Sequence, residues 1–152
     1  MILYLDASAL VKCYIAEDGT EEVQHAIGES SAVGTHLISR VEVSAALGKA
    51  ARMKLLQEEE AALCLARFRR DWPDLIRLGV SEMLIGHADR LAWEHGLRGY
   101  DAVHLAAADL WQDALGEQVT FAVFDRKLWQ AARNIGLLSY PKSVSAGSRR
   151  RT

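Results

Sequence analysis

The stretch that decides the fold is Val119-Thr120-Phe121-Ala122-Val123-Phe124-Asp125. Its first six residues are apolar, aromatic or β-branched, which is typical of a buried strand. The run ends at Asp125, and apolar residues at helical spacing follow it at positions 128, 131, 132 and 135. A strand that passes directly into a helix is the repeating unit of an α/β fold.

The same order of strand and helix recurs along the chain. Residues 3–5 form a short apolar run that stops at Asp6, where a helical pattern begins. Further strands are predicted at residues 32–35 and 75–78. Helices are predicted at residues 20–28, from 39 onward, over 61–72, from 81 onward and over 103–111. Strands that alternate with helices and are apolar at nearly every position predict a three-layer α/β/α sandwich with a mainly parallel central sheet.

Length and composition bound the remaining possibilities. The chain has 152 residues, 50% of them hydrophobic, which is enough for one domain with one core. We expect a single domain at residues 1–141 and a disordered basic tail at residues 142–152. The formal net charge of -2 gives no general attraction to polyanions, so nucleic-acid binding would need local basic groups or bound cations.

The chain carries no pattern typical of membrane or secreted proteins. No apolar run is long enough to cross a bilayer, and the N-terminus lacks the basic start and long apolar segment of a signal peptide. Cys13 and Cys64 lie far apart and belong to no metal-binding pattern, so we expect buried thiols in a reducing compartment. These observations predict a cytoplasmic protein with no membrane contact.

Four carboxylates stand at the ends of predicted strands or the starts of predicted helices. Asp6 and Asp125 end strands, whereas Glu42 and Asp101 lie in first helical turns. Taken singly, each is more often a helix cap than a catalytic group, because the aspartates adjoin helix starts and residues 39–42 (SRVE) fit a capping box.

The expected geometry changes this interpretation. In a parallel sheet, the carboxyl ends of the strands and the starts of the helices that follow them share one edge, so the four acids are expected to converge there. Clustered carboxylates repel one another, and a divalent cation removes that conflict. Oxygen ligands without histidine or cysteine favour Mg²⁺ or Mn²⁺ over zinc. Such an ion stabilises charge on phosphorus and activates water, so the acids predict metal-dependent phosphodiester hydrolysis.

Four ordered motifs resemble the PIN-domain family, and in particular the VapC toxins of bacterial and archaeal toxin–antitoxin pairs. The motifs are residues 5–12 (LDASALVK), 39–42 (SRVE), 99–108 (GYDAVHLAAA) and 124–128 (FDRKL). The resemblance extends from the first strand to about Gly136. It implies a three-layer fold, a magnesium- or manganese-dependent endoribonuclease acting on RNA, a VapB-like antitoxin that covers the acidic pocket, and a homodimer.

The resemblance also assigns residues. The acidic positions of the family fall on Asp6, Glu42, Asp101 and Asp125, which implies that these four bind the metal and carry catalysis. Ser8 matches a hydroxyl that supports the first acid.

Other residues near the motifs have weaker assignments. Arg40 and Arg126 each adjoin a proposed metal ligand and are candidates for contacts to RNA phosphates. His104 follows Asp101 by one helical turn and is interpreted as a packing residue in an alanine-rich helix. Asp109 lies about two turns beyond Asp101 and is interpreted as a solvated or locally paired acid outside the cluster.

Two alternatives stay open. Many relatives have Ser or Thr two positions before the last acid, where this chain has Val123, so the chain could be a catalytically inactive PIN-like module that binds RNA or an antitoxin. The other alternative is a phosphotransferase that uses Asp6 as its nucleophile, as haloacid-dehalogenase-like enzymes do. Those enzymes need a second aspartate two residues later, where Ser8 stands.

Overall fold

Five strands form one sheet in which every neighbouring pair is parallel. The computed structural model describes residues 1–145. The strands are β1 (Ile2–Leu5), β2 (Ala32–His36), β3 (Ile76–Leu78), β4 (Val119–Ala122) and β5 (Leu138–Tyr140). The helices are α1 (Ala7–Val11), α2 (Thr20–Gly28), α3 (Ser39–Arg52), α4 (Glu58–Asp71), α5 (Glu82–His95), α6 (Gly99–Leu115) and α7 (Arg126–Asn134). A 3-10 turn at Trp72–Asp74 follows α4.

Helices cover both faces of the sheet, which confirms the predicted α/β/α sandwich. Leu3 and Leu5 of β1 pack on one face among residues of α1, α2, α3 and α4. Tyr4, between them, packs on the opposite face among residues of α5, α6 and α7. All three side chains are fully buried. Because neither face of the central strand meets water, successive positions are apolar rather than alternating with polar residues.

The strand order β3-β2-β1-β4-β5 determines where a ligand site can form. From β1 the chain builds outward through β2 to β3 on one side, and it later returns to place β4 and β5 on the other side. The order therefore reverses between β1 and β4, and ligands of open α/β sheets bind outside the carboxyl ends of such strands. Asp6 follows β1 there, and its backbone N–H donates to the carbonyl of Ala122, the last residue of β4 (3.3 Å).

Two details of the sheet differ from the sequence expectation. The sequence does not predict β5, because three residues at a sheet edge are too few to show a period of two. The fourth strand ends at Ala122, two residues before the apolar run does. Val123 makes the last hydrogen bond between β4 and β5, in which its N–H donates to the carbonyl of Tyr140 (2.9 Å).

Three further expectations concern the C-terminal tail, membrane contact and the two cysteines. Residues 142–145 form no helix or strand, and the remainder of the predicted disordered tail, residues 146–152, lies outside the described residues. Within residues 1–145, no helix combines the length and apolar character needed to cross a membrane. Cys13 and Cys64 are free thiols and are half-buried rather than buried as expected.

Candidate active site

Asp6 lies in the turn between β1 and α1 and is almost completely buried, with 4% of its surface exposed. Its Oδ1 accepts a hydrogen bond from the backbone N–H of Ala9 (2.7 Å), and the Ser8 hydroxyl lies 2.8 and 2.9 Å from its two carboxylate oxygens. Asp6 therefore caps α1. Burial raises the pKa of Asp6, and the nearby charge of Asp101 raises it further, whereas His104 and the two hydrogen-bond donors lower it.

Asp101 lies in the first turn of α6, and only 13% of its side chain is exposed. Its Oδ2 accepts a hydrogen bond from Nε of Arg98 at 3.0 Å. Burial raises the pKa of Asp101, and Asp125 also raises it, while Arg98 and His104 lower it. Asp101 is thus electrostatically linked to Asp6 on one side and to Asp125 on the other.

Asp125 is the most exposed of the four acids. It precedes α7, and its Oδ1 accepts a hydrogen bond from the backbone N–H of Leu128 at 2.9 Å, so it caps that helix. Val123, two residues earlier, is fully buried in the apolar core between the sheet and α5, α6 and α7. An apolar side chain at this position donates no hydrogen bond to Asp125.

Glu42 is held by a histidine from another helix. It lies in the first turn of α3, and its Oε1 is 2.6 Å from Nε2 of His104 on α6. The other ring nitrogen of His104, Nδ1, is 2.7 Å from the hydroxyl of Tyr4 on β1. His104 is therefore buried, as a packing residue would be, but both of its ring nitrogens make polar contacts. The packing interpretation is incomplete, because it misses the contact with Glu42.

The capping box predicted for residues 39–42 is wrong. No side chain caps α3 in the structure, and Glu42 contacts His104 instead of the Ser39 N–H. The hydroxyl of Ser39 lies 2.7 Å from that of Thr35, which donates to the carbonyl of Leu5 at 2.7 Å. These buried hydroxyls, which the sequence analysis did not identify, connect the start of α3 to the end of β1.

Charge effects link Asp6 with Asp101 and Asp101 with Asp125, whereas Glu42 contacts His104 rather than another of the four acids. Within residues 1–145, no three His, Cys, Asp or Glu side chains lie close enough together to form a ready-made metal cage. The donor chemistry nevertheless fits a hard cation, because buried Asp6 and half-buried Asp101 offer only oxygen atoms and the charge of Asp101 disfavours ionisation of Asp6. Mg²⁺ commonly retains several water ligands and needs only one or two carboxylates, so a site of this kind does not require four direct contacts.

Arg40, Arg126 and Asp109, the other residues singled out from the sequence, each lie on a helix. Arg40 and Arg126 are exposed, in the first turns of α3 and α7, and the Arg40 guanidinium lies 5.7 Å from the centre of the Trp72 ring. Asp109 is paired at 2.7 Å with His87 of the neighbouring helix α5, so it is a paired acid rather than a solvated one.

Comparison with known proteins defines the class to which this fold and site belong. The PIN domain family model matches residues 3–134, so the chain belongs to the PIN domain family. Within that family, the chain is 36% identical over 148 residues to Ribonuclease VapC45 of Mycobacterium tuberculosis (strain CDC 1551 / Oshkosh), and the match covers 94% of this chain and 97% of that protein.

Solved structures agree on the fold. A toxin-antitoxin complex from Klebsiella pneumoniae contains a chain similar to this one, with a TM-score of 0.56, 16% identity and coverage of 79% of this chain and 84% of that chain. VapBC2 from Rickettsia felis, bound to a DNA fragment from its promoter, has a TM-score of 0.62 and 14% identity, with coverage of 91% of this chain and 97% of that chain. Both likenesses show the same three-layer architecture.

Proposed function

We propose that this chain is a VapC-type endoribonuclease that hydrolyses RNA phosphodiester bonds with the help of Mg²⁺ or Mn²⁺. The observation that carries the proposal is the position of buried Asp6 and half-buried Asp101 at the point where the strand order reverses, where the charge of Asp101 adds to the rise that burial causes in the pKa of Asp6. Divalent-metal dependence is general among PIN-domain VapC ribonucleases. The relative that matches 94% of this chain is named a ribonuclease.

Different groups and elements hold each of the proposed metal-binding acids in place. Ser8 and the Ala9 N–H orient Asp6, while Arg98 orients Asp101. Glu42 and Asp125 complete the proposed set from the first turn of α3 and the start of α7. A bound Mg²⁺ or Mn²⁺ would supply Lewis-acid stabilisation of the charge that develops on the scissile phosphate. These acids therefore act as ligands and orienting groups, and Asp6 is not the nucleophile of a phosphotransferase.

Two exposed arginines are the proposed contacts to the RNA backbone. Arg40 and Arg126 lie in the first turns of helices that start at the same sheet edge as the acids. Guanidinium groups donate in a planar fork that matches phosphate oxygens. Because the salt dependence scales with the number of phosphates that are neutralised, binding through two arginines is expected to weaken only modestly with added salt.

The proposed activity predicts RNA cleavage that requires both a divalent metal ion and the Asp6 carboxylate. Purified protein is expected to cleave a single-stranded RNA in Mg²⁺ or Mn²⁺ and to lose this activity in EDTA. Asp6→Asn is expected to lose about 100-fold or more of the rate, because the amide is a poor metal ligand but can still cap α1. Gel-resolved cleavage of an end-labelled RNA measures both effects.

The matched control is Asp113→Asn, an exposed aspartate of α6 far along the helix from Asp101, which is expected to cleave at the wild-type rate. Full cleavage by folded Asp6→Asn would contradict the proposed function. Absence of cleavage together with absence of Mn²⁺ binding in wild-type protein would favour the inactive binding module that Val123 makes conceivable.

We propose a VapB-like antitoxin and a second copy of the chain as protein partners. The similar Klebsiella pneumoniae structure is a toxin-antitoxin complex, which motivates the first of these. Two side chains of α5 support the presence of a protein interface, since Trp93 is 90% exposed and Met83 is 71% exposed. Light scattering of the purified chain tests the homodimer, and co-purification with the product of a short upstream reading frame tests the antitoxin. A monomer at all concentrations would refute the homodimer.

A further inference from the structure

We propose that His104 is a positioning residue of the active site, which holds the Glu42 carboxylate through Nε2 while the Tyr4 hydroxyl fixes its tautomer through Nδ1. The inference rests on the proposed function, because Glu42 matters only if it acts in the metal site. It assigns roles to Tyr4, which lies outside the four motifs, and to His104, which lies in the third motif but is not one of its acids.

Hydrogen-bond contacts join three side chains that lie on three different elements. Tyr4 on β1 contacts His104 on α6 at 2.7 Å, and His104 contacts Glu42 on α3 at 2.6 Å. Tyr4 is fully buried and His104 is 1% exposed, whereas 24% of the Glu42 side chain reaches solvent. The Glu42 carboxylate thus lies at the boundary between the core and the open edge of the sheet, whereas Tyr4 and His104 are shielded from water.

The hydrogen-bond partners determine where the protons lie. A carboxylate only accepts, so Nε2 of His104 must carry the proton that Glu42 receives as a hydrogen bond. In a neutral imidazole, Nδ1 is then an acceptor, and the Tyr4 O–H is the donor that it faces. This arrangement gives both ring nitrogens of His104 a hydrogen-bond partner.

The surrounding rings hold the imidazole in this orientation. Tyr4 stacks on Phe121 with 5.4 Å between ring centres, which fixes its hydroxyl. His36 packs edge-on against His104 at 6.4 Å. Buried side chains that are hydrogen-bonded to matched partners cannot rotate freely. The hydrogen bonds from Tyr4 through His104 therefore orient Glu42 before a metal ion binds.

Three substitutions distinguish a positioning role of His104 from a packing role. His104→Leu removes the donor at similar volume, His104→Gln retains an amide N–H that can reach Glu42, and Tyr4→Phe removes only the hydroxyl. We expect Mn²⁺ affinity to fall about 10- to 100-fold in His104→Leu, as is typical when the partner of a metal ligand is lost. His104→Gln is expected to recover much of that loss, and Tyr4→Phe to lie between wild type and His104→Leu.

His87→Leu is the matched control. His87 also pairs with a carboxylate, Asp109, but on the outer contact of α5 with α6, so its loss is expected to leave Mn²⁺ affinity unchanged even if the protein melts earlier. Isothermal titration with Mn²⁺ measures affinity, and a thermal melt shows that each variant is folded. Equal Mn²⁺ affinity in folded His104→Leu and wild type would overturn the proposal, as would equal losses in His104→Leu and His104→Gln.

A measurement without metal keeps this inference distinct from the proposed function. Two-bond ¹H–¹⁵N correlation spectra of metal-free protein report the tautomer of His104, and we expect the Nε2–H form, with an Nδ1 shift that changes in Tyr4→Phe. Observation of the Nδ1–H form, or an Nδ1 shift unchanged by Tyr4→Phe, overturns the proposal even if the protein cleaves RNA. If wild-type protein neither binds Mn²⁺ nor cleaves RNA, the proposed function fails while the tautomer is still measured.

Discussion

Burial of Asp6 makes its charge a determinant of stability as well as of activity. Its pKa is raised from the ordinary value of 3.8, chiefly by burial. Between 3.8 and the raised pKa, the folded chain keeps a proton that the unfolded chain has released, so stability falls as pH rises through this interval. Above the raised pKa the loss is complete, and the folded protein carries an unfavourable buried charge.

Asp6→Asn is therefore expected to stabilise the metal-free protein. At about pH 7.5 the variant lacks the buried charge but can still accept the Ala9 hydrogen bond, so it is expected to melt at a higher temperature than wild type in EDTA. The difference is expected to shrink as pH falls toward about 4, because wild-type Asp6 is then protonated as well. Calorimetric melts across this range test the sign, and a difference that grows on acidification would contradict it.

At the level of single residues, the sequence predicted positions better than contacts. The places of the four acids at strand ends and helix starts follow from periodicity and helix-start signals, and the Ser8 contact with Asp6 follows the family resemblance. The role of His104 could not be predicted in this way, because its contact with Glu42 joins positions 62 residues apart. The one available signal was that His104 follows Asp101 by one helical turn and so faces the same side of α6.

At the level of elements, Gly34 allows α6 to lie close to the sheet. A Cβ atom at this position of β2 would lie 2.7 and 2.8 Å from ring carbons of Trp111 on α6. Gly34→Ala is therefore expected to lower the free energy of unfolding by about 1–3 kcal/mol, as is typical when a packed core receives an extra methyl group. Chemical denaturation measures the change.

Gly28→Ala is the control for this substitution. It lies at the end of α2, where a Cβ would meet nothing within 4 Å, so its stability is expected to equal or slightly exceed that of wild type. A Gly34→Ala variant as stable as Gly28→Ala would show that Trp111 moves aside at no cost and that the close approach has no structural importance.

Element boundaries show where local patterns stop being informative. The starts of α2 and α3 agree with helix signals in the sequence, but the capping box at the start of α3 does not form. Ser39 contacts Thr35 on β2, and Glu42 contacts His104 on α6, so partners outside α3 replace the contact within the helix that their spacing suggests. Strand β5 is missed for a related reason, since its pairing with β4 rather than its own sequence defines it.

At the level of the whole molecule, the layers were predictable and the order of strands was not. Alternating strands and helices with apolar runs suffice to predict a parallel sheet covered on both faces. Periodicity does not say on which side of β1 each later strand is added, so the reversal between β1 and β4 becomes visible only in the structure. That reversal brings together acids from positions 6 to 125, and the account depends on it.

The most direct test of this account is to locate the ion. Crystals of the full chain soaked in Mn²⁺ are expected to show an anomalous scattering peak next to the carboxylates of Asp6 and Asp101, and Asp101→Asn crystals treated in the same way are expected to lose it. Absence of a peak beside Asp6 at saturating Mn²⁺, or a peak that persists in Asp101→Asn, would contradict the claim that these acids form the metal site of a ribonuclease.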